Sequence, residues 1–308
     1  MFKKWQDSNY KIHSGELQGS KNEYDAINCN ECGFSHVIPI PTESFLSEYY
    51  KDSFVKNRPK GFYEKMESDI PWLDIFYNEK YDLFEKYLKK KSPSILDVGS
   101  GLGFFLQCGK NRGWDILGVE ASIESYNYCI DNGLKIVNQY LDDKNYKKLG
   151  SFDVVHMHEV IEHLPDPIKI IRTAKEMLKP NGLLCIASPN DFNPLQNAFV
   201  NKKNSFKWWI SPPEHINYFN FNSMKKVLED NGFNVIEQTS TFPLEFFLLM
   251  GDNYIGDSKI GKKVHARRVS FEKTLCDQGF EKLRRNIYSS FAKLGIGREF
   301  CIISKLNK

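Results

Sequence analysis

A glycine-rich segment has the residue types and spacing that point most directly to ligand chemistry. Gly99, Gly101 and Gly103 follow the apolar run SILDV and precede FFLQCGKNRG, which is predicted to be a helix. Glycine permits a tight turn and lets a ligand approach the main chain, and the start of a helix offers free N–H groups. With Asp97 just before it, the loop is a candidate ligand site. An ordinary strand-to-helix turn is the alternative.

A second acidic residue lies about 20 residues farther along, where a ribose-binding carboxylate is expected. Glu120 ends the apolar run WDILGVE, and a carboxylate there can accept hydrogen bonds from both hydroxyls of a ribose. A dinucleotide-binding loop would normally follow the pattern G-x-G-x-x-G, whereas this chain has G-S-G-L-G. The combination predicts an adenosine-containing ligand across the strand ends, without a pyrophosphate clamp.

Histidines and carboxylates are concentrated at the end of the apolar run FDVVHMH and directly after it. The segment HEVIEH contains His158, Glu159, Glu162 and His163, and PPEHINYF adds His215. Histidine is the usual base near neutral pH, and a carboxylate–carboxylate–histidine set at helical spacing can bind a divalent metal that acidifies a hydroxyl. Three roles stay open: a metal site of Glu159, Glu162 and His163; a base role for His163 or His215; or helix capping and pocket shape.

The N-terminal region holds two cysteines at metal-ligand spacing. Cys29 and Cys32 form C-N-E-C, which supplies half of a zinc site. No second C-x-x-C follows, so His13 and His36 are the residues that would complete a Cys2His2 tetrahedron. Such a site would order a segment with little hydrophobic periodicity. Two free, reduced cysteines are the alternative, and a redox pair is disfavoured because it would open a helix after a strand.

The alternation of strands and helices around these residues predicts an α/β fold. Short apolar runs from residue 94 onward are separated by helical segments and by a turn at residues 180–182. The spacing predicts a doubly wound, Rossmann-like sheet of about seven strands, mostly parallel, with REFCIIS as an antiparallel last strand. A helix over residues 74–90 is predicted before the sheet.

The regions outside this alternation predict three domains. Residues 1–69 form an N-terminal module, and residues 70–241 together with 296–308 form the sheet domain. Residues 242–295 form a helical insertion that covers the site. Two segments within these domains have an unusual composition.

The first unusual segment is aromatic and the second is basic. Aromatic residues make up 14% of the chain, and many fall in residues 191–221, which are predicted to form an aromatic lid or a packed hydrophobic cover. The run KIGKKVHARR, residues 259–268, is either a solvated face or an anion site for phosphate groups.

Composition and charge exclude several classes of protein. The 308 residues are 41% hydrophobic and 26% charged, which is typical of a globular protein. A formal charge of +3 is too small to indicate a nucleic-acid partner. No apolar run approaches the ~20 residues that cross a bilayer, and the N-terminus lacks the apolar segment of a signal peptide. With an odd number of cysteines, seven, a cytoplasmic setting is expected.

Four segments resemble those of the class I S-adenosylmethionine-dependent methyltransferases in order and spacing: ILDVGSGLGFFL, GVEAS, FDVVHMHEVIEHLPDP and LKPNGLLCIASPN. SPPEHINYF and NGFNVIE extend the resemblance toward small-molecule enzymes of the sugar and quinone type. The resemblance implies S-adenosylmethionine as cofactor. It assigns Asp97, Gly99, Ser100, Gly101 and Gly103 to the methionine end, Glu120 to the ribose, Ala121 and Ser122 to the adenine, and His158 to the sulfonium.

Two further segments have counterparts in this family. E-x-x-E-H is similar to a metal-binding segment of ubiquinone-biosynthesis O-methyltransferases and of small-RNA 2'-O-methyltransferases, in which His215 would match a further ligand. The N-terminal segment is similar to zinc-binding modules of some sugar-modifying methyltransferases.

These observations predict methyl transfer to an oxygen atom of a small-molecule acceptor. The acceptor would be a sugar or secondary metabolite, with phosphorylated or nucleotide-linked forms included. One alternative is a non-catalytic scaffold or sensor that binds S-adenosylmethionine or S-adenosylhomocysteine. Another is an RNA 2'-O-methyltransferase, which the near-neutral charge disfavours. Oligomeric state is not predicted.

Overall fold

The computed structural model describes residues 1–8, 10–49, 61–203 and 205–307. The strands are β1 (Phe2–Gln6), β2 (Ile12–Lys21), β3 (Tyr24–Cys29), β4 (Ser35–Ile38), β5 (Ser94–Val98), β6 (Asp115–Glu120), β7 (Ile136–Asn138), β8 (Phe152–His158), β9 (Leu178–Pro189), β10 (Asn217–Tyr218), β11 (Phe233–Ser240) and β12 (Glu299–Leu306). The helices are α1 (Glu43–Tyr49), α2 (Phe62–Leu88), α3 (Phe104–Asn111), α4 (Ile123–Asp131), α5 (Pro167–Met177), α6 (Pro194–Lys203), α7 (Phe221–Asp230), α8 (Glu245–Leu249), α9 (Ser258–Asp277) and α10 (Glu281–Lys293).

A seven-stranded sheet carries the glycine-rich loop. Its strand order is β11-β12-β9-β8-β5-β6-β7. Strands β5 to β9 run parallel to one another, and β12 is antiparallel to both β9 and β11. The predicted Rossmann-like fold with an antiparallel last strand is therefore confirmed. All five residues of β5 are buried, because helices cover both faces of a parallel sheet.

Two local predictions differ from the structure. Helix α2 begins at Phe62 rather than near residue 74. The turn predicted at residues 180–182 lies inside β9, where the pairing with β8 shifts register between Phe152 and Val154. Asn181 has a φ of 64° there, so the turn-forming residues make an irregularity within a strand rather than its end.

A second sheet is built mainly from the N-terminal residues. Strands β1, β2, β3, β4 and β10 follow one another in an antiparallel arrangement. The last pairing joins distant parts of the chain, since Asn217 and Tyr218 of β10 lie opposite His36 and Ser35 of β4. This sheet is thereby tied to the segment that follows β9.

The aromatic residues of 191–221 have a packing role in this arrangement. Trp209 and Tyr218 are buried in one cluster with Tyr24 and Val37 of the N-terminal sheet, and Phe192 packs against it. The Phe192 and Trp209 ring centroids lie 5.4 Å apart. Of the two alternatives for this segment, an aromatic lid and a packed hydrophobic cover, these rings form the cover. They also hold the N-terminal sheet to the rest of the chain.

Helices α8, α9 and α10 lie in the region before β12, and α9 and α10 contact α2 through buried polar groups. Glu272 of α9 accepts hydrogen bonds from the Trp72 indole N–H and the Tyr288 hydroxyl. Arg284 of α10 is fully buried and pairs with Glu79 of α2. Among the described residues, none of the helices combines the length and the apolar character that a membrane span needs.

Asp153 at the start of β8 predicts a pH-dependent part of the stability. Burial alone would raise its pKa, but hydrogen bonds from Lys90 (2.8 Å) and from the Ser94 N–H (2.8 Å), with Lys179 nearby, lower it to about 2. A carboxylate whose pKa is lower in the folded than in the unfolded protein stabilises the fold at pH values above its unfolded-state pKa. This stabilisation is lost as the pH falls toward 2. Asp153→Asn should therefore cost on the order of 2 kcal/mol at pH 6.

That difference should shrink toward zero at pH 2, where the wild-type carboxyl becomes protonated. Urea unfolding of both proteins at pH 6, 4 and 2 measures it. A difference that stays constant over this range would contradict the assignment.

Candidate active site at the carboxyl ends of the strands

The glycine-rich loop leaves β5 and turns into α3. The N–H groups of Gly99 and Ser100 donate to the Val119 carbonyl at 2.8 and 3.2 Å, which ties the loop to β6. Gly103 has a φ of 73°, and a Cβ there would lie 2.4 Å from the side chain of Leu134. Packing therefore requires glycine at this position.

Gly101 differs from its neighbours because the space beside it is open. Its φ is 54°, and a Cβ added there would meet no atom within 4 Å. The glycine at this position therefore lets a ligand approach the backbone from outside, whereas no packing contact requires it. The Gly101 N–H points to Glu120 of the next strand, at 2.8 Å from Oε2.

Glu120 links the loop to the start of α4. Its other oxygen, Oε1, accepts from the Ser122 N–H at 2.7 Å, and Ser122 caps α4. The carbonyl of Ala121, between them, accepts from Asn138 at 3.1 Å. The predicted cofactor residues Gly101, Glu120 and Ser122 are therefore brought together. Carboxylate oxygens have further lone pairs that can accept from ligand hydroxyls.

Asp97 faces a buried chain of polar groups under the loop. Its Oδ1 lies 2.7 Å from His156 Nδ1, and His156 Nε2 lies 3.2 Å from Lys80 Nζ. Burial lowers the pKa of His156 well below its ordinary value, so the neutral ring donates to Asp97 and accepts from Lys80. Burial also raises the pKa of Asp97 to about 7, against the opposing effect of Lys80. The sequence patterns do not single out Lys80, because it lies within the periodic stretch of α2.

His158 ends β8 and Glu159 follows it. Both lie beside a residue that the sequence did not suggest. His158, Glu159 and Glu299 bring ligand-type atoms within 4.8 Å of one another. His158 Nε2 lies 3.4 Å from Glu299 Oε2. Burial would raise the pKa of Glu299, but His158 and Arg298 lower it to about 2. Glu299 is therefore ionised and orients the His158 ring.

The predicted grouping of Glu159, Glu162 and His163 on one helical turn is wrong. Ile161–His163 form a 3-10 turn, and Glu159 precedes it with a φ of 53°. That left-handed backbone directs Glu159 toward His158 instead. His215 takes its place, because Glu162, His163 and His215 lie within 4.8 Å of one another.

The Glu162–His163–His215 cluster has defined hydrogen bonds. His163 Nδ1 lies 2.7 Å from the Glu214 carbonyl, so it carries the proton and donates. The lone pair of Nε2 then faces Glu162 Oε1, 3.8 Å away. Glu162 is held through its other oxygen by the Ser188 hydroxyl at 2.9 Å.

Burial shifts the pKa values of this cluster toward the neutral forms. It raises the pKa of Glu162, lowers that of His163 and lowers that of His215 to about 3. Neutral imidazoles are metal ligands and bases, while a carboxylate becomes a ligand once a cation replaces its proton. The arrangement can therefore serve either chemistry.

A further buried polar group lies beyond β9 and was not predicted. Asp191 is 1% exposed, and neither of its carboxylate oxygens has a hydrogen-bond partner among the described residues. Burial raises its pKa to about 7, against the attraction of Arg298. The charge of Arg298 also acts on Glu245 and His215. These groups extend the polar region at the carboxyl ends of β8 and β9.

The four predicted zinc ligands converge in the N-terminal sheet. His13 Nδ1 lies 3.1 Å from His36 Nε2, 3.5 Å from Cys32 Sγ and 3.8 Å from Cys29 Sγ. A zinc tetrahedron with its usual bond lengths has ligand–ligand edges of about 3.3–3.8 Å. The donor set and its spacing therefore fit a zinc ion.

The remaining nitrogens of the two histidines also suit metal binding. His36 Nδ1 lies 2.8 Å from the Val37 carbonyl, and His13 Nε2 lies 3.5 Å from the carboxylate of Asp7. A hydrogen-bond acceptor such as the Val37 carbonyl orients a metal-ligating imidazole, and the Asp7 carboxylate lies at ion-pair distance from His13. Asp7 is a supporting residue that C-x-x-C spacing does not indicate.

The basic run lies on α9 and divides between two environments. The side chains of Lys259, Lys262 and Lys263 are exposed, and Arg267 pairs with Asp252. Arg268 stacks over Trp72, with the guanidinium carbon 4.5 Å from the ring centroid. Most of the run is a solvated face, whereas Arg268 and His265, whose ring centroid lies 5.3 Å from that of Trp72, turn inward.

A cavity of about 350 Å³ lies between α2, α9, α10 and the sheet. His158 and Glu299 line its end at the carboxyl ends of the strands, and Lys86 and Glu237 line the opposite end. None of the described residues in the aromatic segment 191–221 lines it.

Comparison with known proteins identifies similar sequences. A sequence profile described as a methyltransferase domain matches residues 72–238, more than half of the chain. Ubiquinone biosynthesis O-methyltransferase of Actinobacillus pleuropneumoniae serotype 5b is 29% identical over 128 residues, which cover 38% of this chain and 52% of that protein. The enzyme of the same description from Haemophilus ducreyi is 31% identical over 106 residues, covering 31% and 45%. The chain thus spans about half the length of these curated relatives.

Solved structures share the fold. The plantazolicin methyltransferase BamL, in complex with a triazolic desmethylPZN analog and SAH, superposes with a TM-score of 0.53 at 13% identity, covering 85% of this chain and 94% of that one. BpumL in a corresponding complex gives 0.52 at 16% identity, covering 85% and 95%. At these identities the similarity concerns the architecture of the sheet and its helices.

Proposed function

Because the chain belongs to the methyltransferase-domain family, within the class I S-adenosylmethionine-dependent methyltransferases, we propose that it transfers a methyl group to a small molecule. The acceptor atom is a hydroxyl oxygen of a sugar or secondary metabolite. The open space at Gly101 beside the Glu120 carboxylate is the observation that carries the proposal.

The residues around that space fit S-adenosylmethionine. Glu120 offers a carboxylate for the ribose hydroxyls, Ala121 and Ser122 lie next to it along the chain, and Gly101 allows close approach to the backbone. Asp97, Gly99, Ser100, Gly103 and His158 complete the proposed set. When bound, the cofactor supplies a methyl group made electrophilic by its sulfonium.

The Glu162–His163–His215 cluster is proposed to hold a divalent metal near the acceptor. The tautomer of His163 supports this proposal, because Nδ1 donates to a carbonyl and the lone pair of Nε2 faces Glu162. The Oε1 atom of Glu162 is buried and has no hydrogen-bond partner among the described residues, which a cation would satisfy. A metal here would acidify an acceptor hydroxyl.

The other regions have supporting roles in this proposal. Residues 1–69 contain a zinc-stabilised module on His13, Cys29, Cys32 and His36, residues 70–241 with 296–308 contain the cofactor domain, and residues 242–295 cap the acceptor. Helix α2 crosses the boundary between the first two. Strand β10 ties the module to the segment that carries His215. A non-catalytic sensor of the same cofactor is the competing function.

Calorimetry and product detection test the proposal together. S-adenosylhomocysteine should bind with micromolar affinity, and NAD should not bind. With S-adenosyl-[methyl-³H]methionine and a pool of cellular small molecules, label should appear in an organic product, and Mg²⁺ or Mn²⁺ should raise its yield in the wild type but not in His163→Ala. Binding without any product would favour the sensor, and tight NAD binding would refute the proposal.

A further inference from the structure

We propose that Cys185 and Cys301 are a peroxide-reactive pair of thiols, and that their reversible oxidation to a disulfide changes the shape of the 350 Å³ cavity. This redox chemistry is separate from the proposed methyl transfer, since it needs only hydrogen peroxide and the two cysteines.

The two cysteines lie on neighbouring antiparallel strands. Cys185 of β9 lies opposite Ile303 of β12, and Cys301 of β12 lies opposite Ala187 of β9. Residues two positions apart on a strand share a face of the sheet, and all four side chains pack in one hydrophobic cluster. The cysteines are therefore diagonal neighbours on the same face. Their sulfurs are 3.7 Å apart, which is direct contact.

The two thiols differ in access to small molecules. Cys301 lines the cavity, whereas Cys185 lies behind it and is fully buried. A water molecule takes about 30 Å³ of liquid volume, so a peroxide molecule, with one more oxygen atom, fits a cavity of about 350 Å³. Peroxide therefore reaches the sulfur of Cys301 first.

The surroundings of the two thiols also assign their roles. A hydrogen bond from the Cys185 thiol lowers the pKa of Cys301, and the nearby charge of Lys80 lowers it further, against the effect of burial. Burial raises the pKa of Cys185. Because the thiolate is the nucleophilic form of cysteine, Cys301 is the residue that attacks peroxide. Cys185 keeps its proton until it attacks Cys301 in turn.

The oxidation proceeds in two balanced steps. The Cys301 thiolate attacks one oxygen of hydrogen peroxide, so that an S–O bond forms, the O–O bond breaks and the other oxygen leaves as hydroxide. That hydroxide takes up the proton that Cys301 lost and becomes water. The Cys185 sulfur then attacks the sulfenic acid sulfur of Cys301. An S–S bond forms, the S–O bond breaks, and the hydroxyl leaves with the Cys185 proton as a second water. Peroxide is reduced and the two thiols are oxidised.

A disulfide at this position moves one strand relative to the other. An S–S bond is about 2.05 Å long, so the sulfurs, now 3.7 Å apart, must approach by about 1.7 Å. Diagonal neighbours have more widely spaced backbones than directly opposite residues. Bond formation therefore requires a shift of β12 along β9 in addition to side-chain rotation.

The shift of β12 reaches the end of the cavity at the carboxyl ends of the strands. Glu299 precedes Cys301 by two residues, lines the same cavity and lies 3.4 Å from His158 Nε2. Movement of Glu299 changes its contact with His158. Oxidation therefore alters this end of the cavity, and reduction of the disulfide restores it.

A second pair of cysteines provides an internal reference. Cys29 and Cys32 belong to the proposed zinc cluster, so their oxidation would release zinc, whereas oxidation of Cys185 and Cys301 would not. Zinc content measured beside the disulfide map therefore separates the two reactions.

Peptide mass spectrometry of the full-length protein tests the proposal. The protein is treated with a small excess of hydrogen peroxide, its remaining thiols are blocked with N-ethylmaleimide, and it is digested without reduction. The peptides that contain Cys185 and Cys301 should be linked, with two hydrogen atoms fewer than the separate peptides, and dithiothreitol should separate them. The ring resonances of His158 should shift on oxidation and return on reduction.

Single cysteine variants test the order of the two steps. In Cys185→Ser the sulfenic acid at Cys301 has no partner, and dimedone should label it. In Cys301→Ser, labelling of Cys185 should be about 10-fold lower, because Cys185 is buried and protonated. Cys276→Ser on α9 is the matched control and should form the disulfide like the wild type. Thermal melting shows that each variant is folded.

Two neighbouring serines of α10 test the route of peroxide. Ser289 lines the cavity, whereas Ser290 is exposed. Ser289→Phe fills part of the cavity and should slow disulfide formation about 5-fold or more, since reactivity depends on access to the thiolate. Ser290→Phe should leave the rate unchanged.

Three results would overturn this proposal. They are a wild type in which peroxide links only Cys29 to Cys32 or leaves Cys185 and Cys301 as thiols, equal dimedone labelling of the two single-cysteine variants, and equal rates in the two serine variants. Because none of these measurements uses S-adenosylmethionine, they leave the proposed methyl transfer untouched.

Discussion

Replacement of Glu120 by alanine should weaken S-adenosylhomocysteine binding about 100-fold or more. A carboxylate that accepts from two ribose hydroxyls makes charge-assisted hydrogen bonds worth about 1.5–3 kcal/mol each. The loss of about 3 kcal/mol corresponds to about 100-fold in affinity. The same oxygens hold the N–H groups of Gly101 and Ser122 at 2.8 and 2.7 Å, so the substitution also loosens the loop.

Asp115 provides the matched control, since it begins the strand that Glu120 ends and is 68% exposed at the opposite edge of the sheet. Asp115→Ala should leave the affinity unchanged, and Glu120→Gln should fall between the two. Calorimetry gives the affinities, and thermal melting shows whether the fold persists. An affinity within 3-fold of wild type for Glu120→Ala would rule out the ribose role.

Purified protein should contain one zinc per chain, and Cys29→Ser should lose it together with the order of the N-terminal sheet. Apparent free energies for structural zinc are about 10–16 kcal/mol at pH 7, comparable to the whole stability of a domain at about 5–15 kcal/mol. Cys29, His13 and His36 are buried, so the loss of zinc would remove a coordinate bond from each of these buried groups.

The loss of zinc should extend to the cluster around His163. His36 of β4 lies opposite Asn217 of β10, and Asn217 donates to the Ile161 and Leu164 carbonyls at 3.1 and 2.7 Å. Unfolding of β4 should therefore release the segment that contains His215.

Elemental analysis and hydrogen exchange measure both effects. Amides of β2, β3 and β4 should lose protection in Cys29→Ser, and those near residue 215 should follow. Cys276→Ser on α9 is the control with full zinc content expected, because Cys276 lies outside the cluster. A wild-type protein without zinc would end this proposal.

Local patterns explain what could be predicted. The strand–loop–helix around Gly101 and the acid at Glu120 depend on residues within about 20 positions, and the apolar runs of a covered parallel sheet are continuous. The zinc ligands could be proposed because short antiparallel strands return His13 and His36 to the C-x-x-C turn. The Glu159–Glu162–His163 grouping failed because helical spacing was assumed where the backbone has a positive φ.

By itself the sequence determined the α/β class, the glycine-rich loop, Glu120 and the four converging N-terminal ligands, since each depends on short-range periodicity or spacing. Tertiary structure alone decided which residues surround the proposed site. His158 meets Glu299 across 141 residues, and Lys80 reaches His156 across 76. The physical reason is that a parallel sheet gathers its carboxyl ends at one edge, while α2 and β12 enter that edge from the two ends of the domain.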